Sequence, residues 1–262
     1  MRKKAGAARA SSLIALALAA CVAASCADTS EPAAAPASEA PQEVHVTITD
    51  AGFSIPAALE SEPVKLMLHN GGKADHHVYF AQLNDGVTEA DIRSTLKKGP
   101  DALFPLVTLA GDMPKIEPMG VTEITMLFPE GDYIAIDPEV EGEPPLAFFE
   151  VGPASGPEVE EPASDYTIEA GDFFFDISDP VAGEATVEIT NTGEQAHEVG
   201  IGQEVNGEQK EVTTIFAPPP GGKMWTTLTL KPGDYTLVCF FTDQKTGKQH
   251  VKLGMTKDFT VQ

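Results

Sequence analysis

Short runs in which apolar and polar residues alternate recur along this chain. They include VHVTI (44–48), VKLML (64–68), HVYFAQL (77–83), ATVEITN (185–191), TTLTL (226–230) and YTLVCFF (235–241), with Gly, Pro, Asn and Asp between them. A period of two is the repeat of a strand with one buried face, and frequent turn residues predict antiparallel β-sandwiches. One segment departs from that period. Thr88-EADIRSTLKKG-Pro100 predicts a helix: Thr88 caps it, Glu89 and Asp91 fill the first turn, Lys97 and Lys98 the last, and Gly99 ends it. Ile92 and Leu96 give it one narrow apolar face, which places it over one end of a sandwich.

The alternating runs fall into two copies. LHNGGKADHHVYF (68–80) matches ITNTGEQAHEVGI (189–201), and aligning Asn70 with Asn191 sets His76 on His197. FPEGDYIAIDP (128–138) matches LKPGDYTLVCF (230–240), and aligning Tyr133 with Tyr235 sets Asp137 on Cys239. LAFFEVG (146–152) matches KDFTVQ (257–262), which leaves the first copy eight residues shorter after the Asp137/Cys239 position. A repeat of about a hundred residues predicts two domains of one all-β fold, 43–152 and 165–262, with PASGPEVEEPAS (153–164) as linker.

Ahead of the repeat the chain changes character. Residues 1–20 carry Arg2, Lys3, Lys4 and Arg9, then an apolar run too short to span a bilayer, and predict an export signal peptide. Leu18-Ala19-Ala20-Cys21 resembles the lipobox of bacterial lipoproteins, which implies lipidation of Cys21; Cys26 is the alternative. Residues 21–42, rich in Ala, Pro, Ser and Glu, predict a disordered tether. The expected place is the bacterial cell envelope, lipid-anchored to a membrane and facing the periplasm or exterior. Formal charge is −23, and removing the four basic residues of the signal leaves −27. Without a basic patch, nucleic acid is excluded as a partner.

Cys239, His250 and Met255 lie close together near the end of the chain, and the repeat alignment adds His197 to them. In a sandwich, a histidine after a strand turn and a cysteine ending a late strand can meet at one rim. Two imidazoles, a thiolate and a thioether form a soft donor set that suits an electron-transfer copper; zinc prefers more thiolates or a carboxylate. This arrangement is similar to the cupredoxin (plastocyanin/azurin-like) family over about 165–262. The resemblance rests on Asn191-TGEQA-His197, on PGDYTLVC and on His250-VKLG-Met255. It implies one copper held by His197, Cys239, His250 and Met255, and a Greek-key sandwich in each copy. The first copy would lack the site, because Asp137 replaces the cysteine and the ligand loop is missing. One feature departs from the family: ten residues separate Cys239 from His250, so QKTGK (244–248) must turn a hairpin to return the histidine to the rim.

Other residues read as structural. His76 and His77 satisfy local hydrogen bonds, with a hard or borderline ion at His76, His77 and Asp137 as the lesser reading. Met113 and Met119 anchor loops by packing, and His45 and His69 belong to strands. Ala217-PPP-Gly221-Gly222 is a stiff connection, and Trp225 a core or rim aromatic. No nucleophile triad or phosphate-binding glycine loop is visible, so the chain reads as no enzyme. Six histidines, with Val238 and Phe240 flanking Cys239, disfavour a multicopper oxidase. The expected role is electron transfer or copper handling with a redox or copper-delivery protein as partner. The alternative is a copper-free envelope lipoprotein that keeps only the fold and binds structural partners.

Overall fold

The computed structural model describes residues 39–140, 142, 144–205 and 208–262. The expected signal, Cys21 and Cys26 lie outside them. The described residues are mostly β-strand. The first copy contains β1 (Gln42–Thr49), β2 (Gly52–Ser54), β3 (Ala58–Glu60), β4 (Pro63–Asn70), β5 (Tyr79–Leu83), helix α1 (Glu89–Leu96), β6 (Val107–Asp112), β7 (Val121–Leu127), β8 (Gly131–Ile136) and β9 (Leu146–Gly152). The second contains β10 (Tyr166–Gly171), β11 (Phe174–Ile177), β12 (Gly183–Asn191), β13 (Glu198–Val205), β14 (Glu208–Phe216), β15 (Lys223–Leu230), β16 (Gly233–Val238) and β17 (Thr256–Val261).

Pairing recurs from copy to copy. In each, the first long strand pairs in parallel with its neighbour, as β1 with β4 and β10 with β12. The central hairpins also correspond, with Tyr133 opposite Phe149 and Tyr235 opposite Phe259. Tyr133 and Tyr235, which the sequence alignment superposes, thus hold equivalent places in their hairpins. Tyr133 and Tyr235 each donate their hydroxyl to the carbonyl four residues upstream, Pro129 and Lys231, at 2.8 Å. Strand β3 also runs parallel to β9, so not every sheet is purely antiparallel. Alternation reports which face is buried, not strand direction, so this was beyond the sequence pattern.

The copies are joined edge to edge. Strand β15 pairs with β7, with Met224 opposite Met126 and Trp225 opposite Thr125, so four strands of each copy form one eight-stranded sheet. A five-stranded sheet, β3-β9-β8-β5-β6, and a four-stranded sheet, β14-β13-β16-β17, complete the layers. One apolar core runs through both copies, from Leu66, Met126 and Phe128 to Met224, Ile189 and Leu237. The 153–164 segment is tied to the body. Glu39 pairs with Val159, Ser155 bonds Glu60, and Lys223 Nζ lies 2.7 Å from Glu161. The end of the expected tether is therefore paired from Glu39, and β1 starts at Gln42.

Helix α1 has a full capping box between Thr88 and Asp91. It covers the outer face of the five-stranded sheet, not a sandwich end: Ile92 and Leu96 pack with Ala81, Ile134 and Ile136. The reason is that β5 and β8 are apolar on both faces; Phe80 and Tyr133 point into the core while Ala81 and Ile134 point to the helix. Met113 is buried as expected. Met119 is not a packing residue, being 84% exposed with φ 64°. Both turns make the same bonds: Met119 N donates to Asn70 O as Gly221 N does to Asn191 O, and Gly120 N to Glu117 O as Gly222 N does to Pro219 O. Met119 thus takes the left-handed position that a glycine holds in the second copy, where φ is 79°.

Because the seam pair Met126 and Met224 is fully buried, Met224→Ala removes core volume at the joint itself. The expected loss is about 2–5 kcal/mol. Scanning calorimetry should show one transition moving down for residues 39–262 together, since a shared core unfolds as a unit; two transitions, with only the second shifted, would show that the joint does not couple the copies.

Candidate metal centre

The site is assembled at one rim of the second copy. His197 immediately precedes β13 and Cys239 immediately follows β16, and these strands are antiparallel neighbours, so both residues emerge at the same end. Asn191 shapes the turn before His197. Its side-chain amide donates to Gln195 O (2.9 Å) and Pro218 O (3.0 Å), and its carbonyl accepts from Gly193 N (3.0 Å). Gly193 has a steric reason: a Cβ there would meet the Asp172 carboxylate and lie 2.7 Å from His197 Nε2. His197 Nε2 is 3.2 Å from Asp172 Oδ1. That carboxylate favours the Nε2–H tautomer and leaves the Nδ1 lone pair free to face the site.

The long loop returns as the sequence requires. Thr242 pairs with Gln249, and Asp243 N donates to Lys248 O at 2.8 Å. Asp243 Oδ2 accepts from both the backbone N–H and the hydroxyl of Thr246, and Gly247 takes the positive φ of 69°. His250 then enters a 3-10 turn, His250–Leu253, closed by Gly254 at φ 109°. Backbone bonds lock the loop to Cys239: His250 N to Phe241 O (2.8 Å), Val251 N to Cys239 O (2.8 Å), Met255 N to His250 O (3.0 Å) and Cys239 N to Met255 O (3.3 Å). Met255 is fully buried beside both residues.

The donor atoms converge. His197 Nδ1 lies 3.2 Å from His250 Nδ1, and Cys239 Sγ lies 3.4 Å from His250 Nδ1. Among the described residues, His197, Cys239 and His250 are the one group of three such side chains whose ligand atoms all lie within 4.8 Å. Metal–nitrogen bonds of about 2.0 Å at tetrahedral to trigonal angles would set two nitrogens about 3.3–3.5 Å apart, so the spacing fits a small transition-metal ion. The sulfur also accepts from Glu198 N (3.5 Å), and the Glu198 carboxylate accepts from Phe240 N (2.5 Å), bracketing Cys239 on both sides. Phe173, at φ 69°, sets its ring edge-on to His250 with centroids 5.2 Å apart. This aromatic, which sequence reasoning missed, stands in the strained left-handed region beside the site.

Electrostatics keeps the donors uncharged. Burial, then the neighbouring His250, pushes His197 down to about 4, against the pull of Asp172. Burial also lowers His250 and raises the Cys239 thiol to about 11. Neutral imidazoles suit metal ligation, whereas the thiol must lose its proton to solvent when an ion binds.

The first copy repeats the frame without the donors. Asn70 bonds Ala74 O, Ile116 O and Gly72 N as Asn191 does its own turn, and His76 Nε2 faces Asp50 Oδ1 at 3.3 Å. Where Cys239 would be, Asp137 takes His76 Nδ1 at 2.7 Å. His77 turns instead to Asp112 (2.9 Å) and Glu139 (3.1 Å), so His76, His77 and Asp137 do not gather around one point. The lesser reading of an ion there is therefore set aside.

No family model matches the chain, and no curated protein does. Solved structures similar to it include dithionite-reduced auracyanin from Roseiflexus castenholzii, 20% identical over 37% of this chain and 94% of that one, TM-score 0.29. Auracyanin A, a "blue" copper protein from Chloroflexus aurantiacus, is 18% identical over 42% and 99%, TM-score 0.28. Blue copper oxidase from Nitrosomonas europaea is 12% identical over 85% and 86%, TM-score 0.29. The donor atoms of this chain, rather than these distant likenesses, carry the chemistry.

The titration of His197 has a stability consequence. Its ordinary value is near 6.5, so above that pH the imidazole is neutral folded and unfolded, and its burial adds no pH dependence. As pH falls from 6.5 towards 4 the unfolded chain takes a proton that the folded site refuses, and stability drops by about 3 kcal/mol. Denaturant unfolding of metal-free protein at several pH values across that window should show this slope, and His197→Asn should flatten much of it.

Proposed function

We propose that this chain is an exported, lipid-anchored copper protein with two cupredoxin-like domains in tandem, 43–152 and 165–262, the second holding one copper for electron transfer or copper handling. The convergence of His197 Nδ1, His250 Nδ1 and Cys239 Sγ in a buried rim carries the reading. Two imidazoles and a thiol with a buried methionine alongside are the donors that copper favours. Bound copper would supply a one-electron couple.

The remaining work falls to the chain. Cys239 would lose its proton to solvent as the metal binds and keep the backbone N–H groups of Glu198 and Phe241 on its sulfur. Asp172 orients His197, and the hairpin headed by Asp243 fixes His250. Burial of all three ligands keeps bulk water away and limits rearrangement when charge changes. A cleft of about 860 Å³ lies between Phe104 and Val107–Leu109 of the first copy and the ligand loop of the second. It reaches His250, and the exposed rings of Phe104 and Phe240 line it, which suits a protein partner with an apolar contact face.

Leu18-Ala19-Ala20-Cys21 behind a short basic and apolar signal supports the anchor reading. Mass spectrometry of the native N-terminus should find a lipidated cysteine, Cys21 or else Cys26; an unmodified start beyond Cys26 excludes the anchor. Copper loading tests the site. Wild-type protein should take up one thiolate-bound copper with an intense visible band and a copper(II) paramagnetic signal. Cys239→Ala should lose the band, while Met255→Leu should keep the copper and shift its potential. Spectra unchanged by Cys239→Ala would overturn the assignment and leave the copper-free partner-binding reading.

A further inference from the structure

The outer face of the eight-stranded sheet, in the first copy, carries a second set of soft donors that share no residue with the site at Cys239. Register builds it. Strands β1, β4 and β7 align His45, Met67 and Glu123 in one row and Thr47, His69 and Val121 in the next. The alternate residues Val46, Leu66, Leu68 and Ile124 are buried in the core, so these rows face outward. His45 and His69 were read from sequence as structural strand residues, yet they add nothing to the core.

On that face His45 Nδ1 lies 3.3 Å from His69 Nε2, with ring centroids 5.5 Å apart. The spacing is within about 0.1 Å of the pair at the buried site and fits two nitrogens on one metal ion, by the same bond-length argument. Met67 stands directly opposite His45 and two residues before His69 on the same strand, hence on the same face. The nearby carboxylates are engaged: Lys65 Nζ lies 3.0 Å from Glu123 and 3.8 Å from Glu43.

The repeat makes the arrangement specific. With Asn70 set on Asn191, the counterparts of His45, Met67 and His69 are Thr167, Glu188 and Thr190, ordinary residues for an exposed sheet face. The same scaffold therefore does without the histidine pair. An exposed imidazole–imidazole hydrogen bond contributes little to stability, so packing gives no reason for it.

We propose that His45, His69 and Met67 bind one copper(I) ion on this face. Imidazole and thioether donors suit a soft ion and disfavour magnesium or calcium, which take oxygen ligands. Because His45 is exposed, the ion can enter and leave without opening the fold.

Anaerobic titration of the full-length protein with copper(I) against a chromophoric chelator tests this in a Cys239→Ala, His250→Ala background, which removes the thiolate and one imidazole of the buried site and so separates the two. That protein should still bind one copper(I). Adding His45→Ala or His69→Ala should abolish the binding, and Met67→Leu should weaken it about tenfold or more. Circular dichroism should stay unchanged, since these side chains lie outside the core. Absence of copper(I) uptake by the Cys239→Ala, His250→Ala protein, or uptake that His45→Ala and His69→Ala leave intact, overturns the proposal whatever the outcome at Cys239.

Discussion

His197 and His250 face each other through their Nδ1 atoms at 3.2 Å inside an apolar rim, and the rest of the second copy is arranged to hold that approach without charge. Two imidazolium ions at this distance would repel strongly, and burial removes the water that could screen them. Both rings are therefore held neutral, and one carboxylate, Asp172, fixes which nitrogen of His197 carries the proton. Gly193 lacks a side chain because that carboxylate and ring occupy the space. Asn191 braces the turn so that the ring cannot swing away. Neutral, oriented and unable to reach water, the donors are ready for a metal and poorly suited to other chemistry.

The first copy shows how little must change to abolish such a site. Asn70, Gly72, Asp50 and His76 reproduce the bracing of Asn191, Gly193, Asp172 and His197. Asp137 at the cysteine position accepts from His76 Nδ1, from His77 N and from Glu139 N, so its carboxylate closes internally the bonds that a metal would otherwise make. With that position filled, the eight-residue excursion that delivers His250 and Met255 has no task, and the chain passes more directly from Asp137 to β9.

Much of this was legible in the sequence because it rests on local chemistry. Alternation found the strands, Thr88 and Asp91 the helix start, and the Asn-to-His and Tyr-to-Cys intervals the correspondence of the copies. The hairpin at 244–248 followed from requiring His250 to return. What escaped were features set by distant partners. The helix position depended on β5 and β8 being apolar on both faces, which a seven-residue pattern does not distinguish from a core strand. The pairing of β7 with β15 joins Met126 to Met224 across about a hundred residues, and no local signal marks an edge that will be covered. Phe173 and Met119 take left-handed backbone where composition gives no hint of it. The outward face of His45 and His69 came only with the register.

That joint also explains why a copy without the buried ligands bears on the copy that has them. Asp112, at the end of β6, accepts from Phe216 N at 2.7 Å, and the next residue, Ala217, donates its N–H to the carbonyl of His197 at 3.0 Å. The Phe216 ring lies between Tyr79 of the first copy and Phe241 of the second, with centroids 5.1 and 5.4 Å away. Phe241 in turn supplies the carbonyl that receives His250 N. The backbones of both ligand histidines are thus tied to the first copy, His197 through Ala217 and Phe216, and His250 through Phe241 and then Phe216. A sandwich carrying only the second copy would present the same ligands at a rim with one wall missing. The first copy, closed internally by Asp137, supplies that wall.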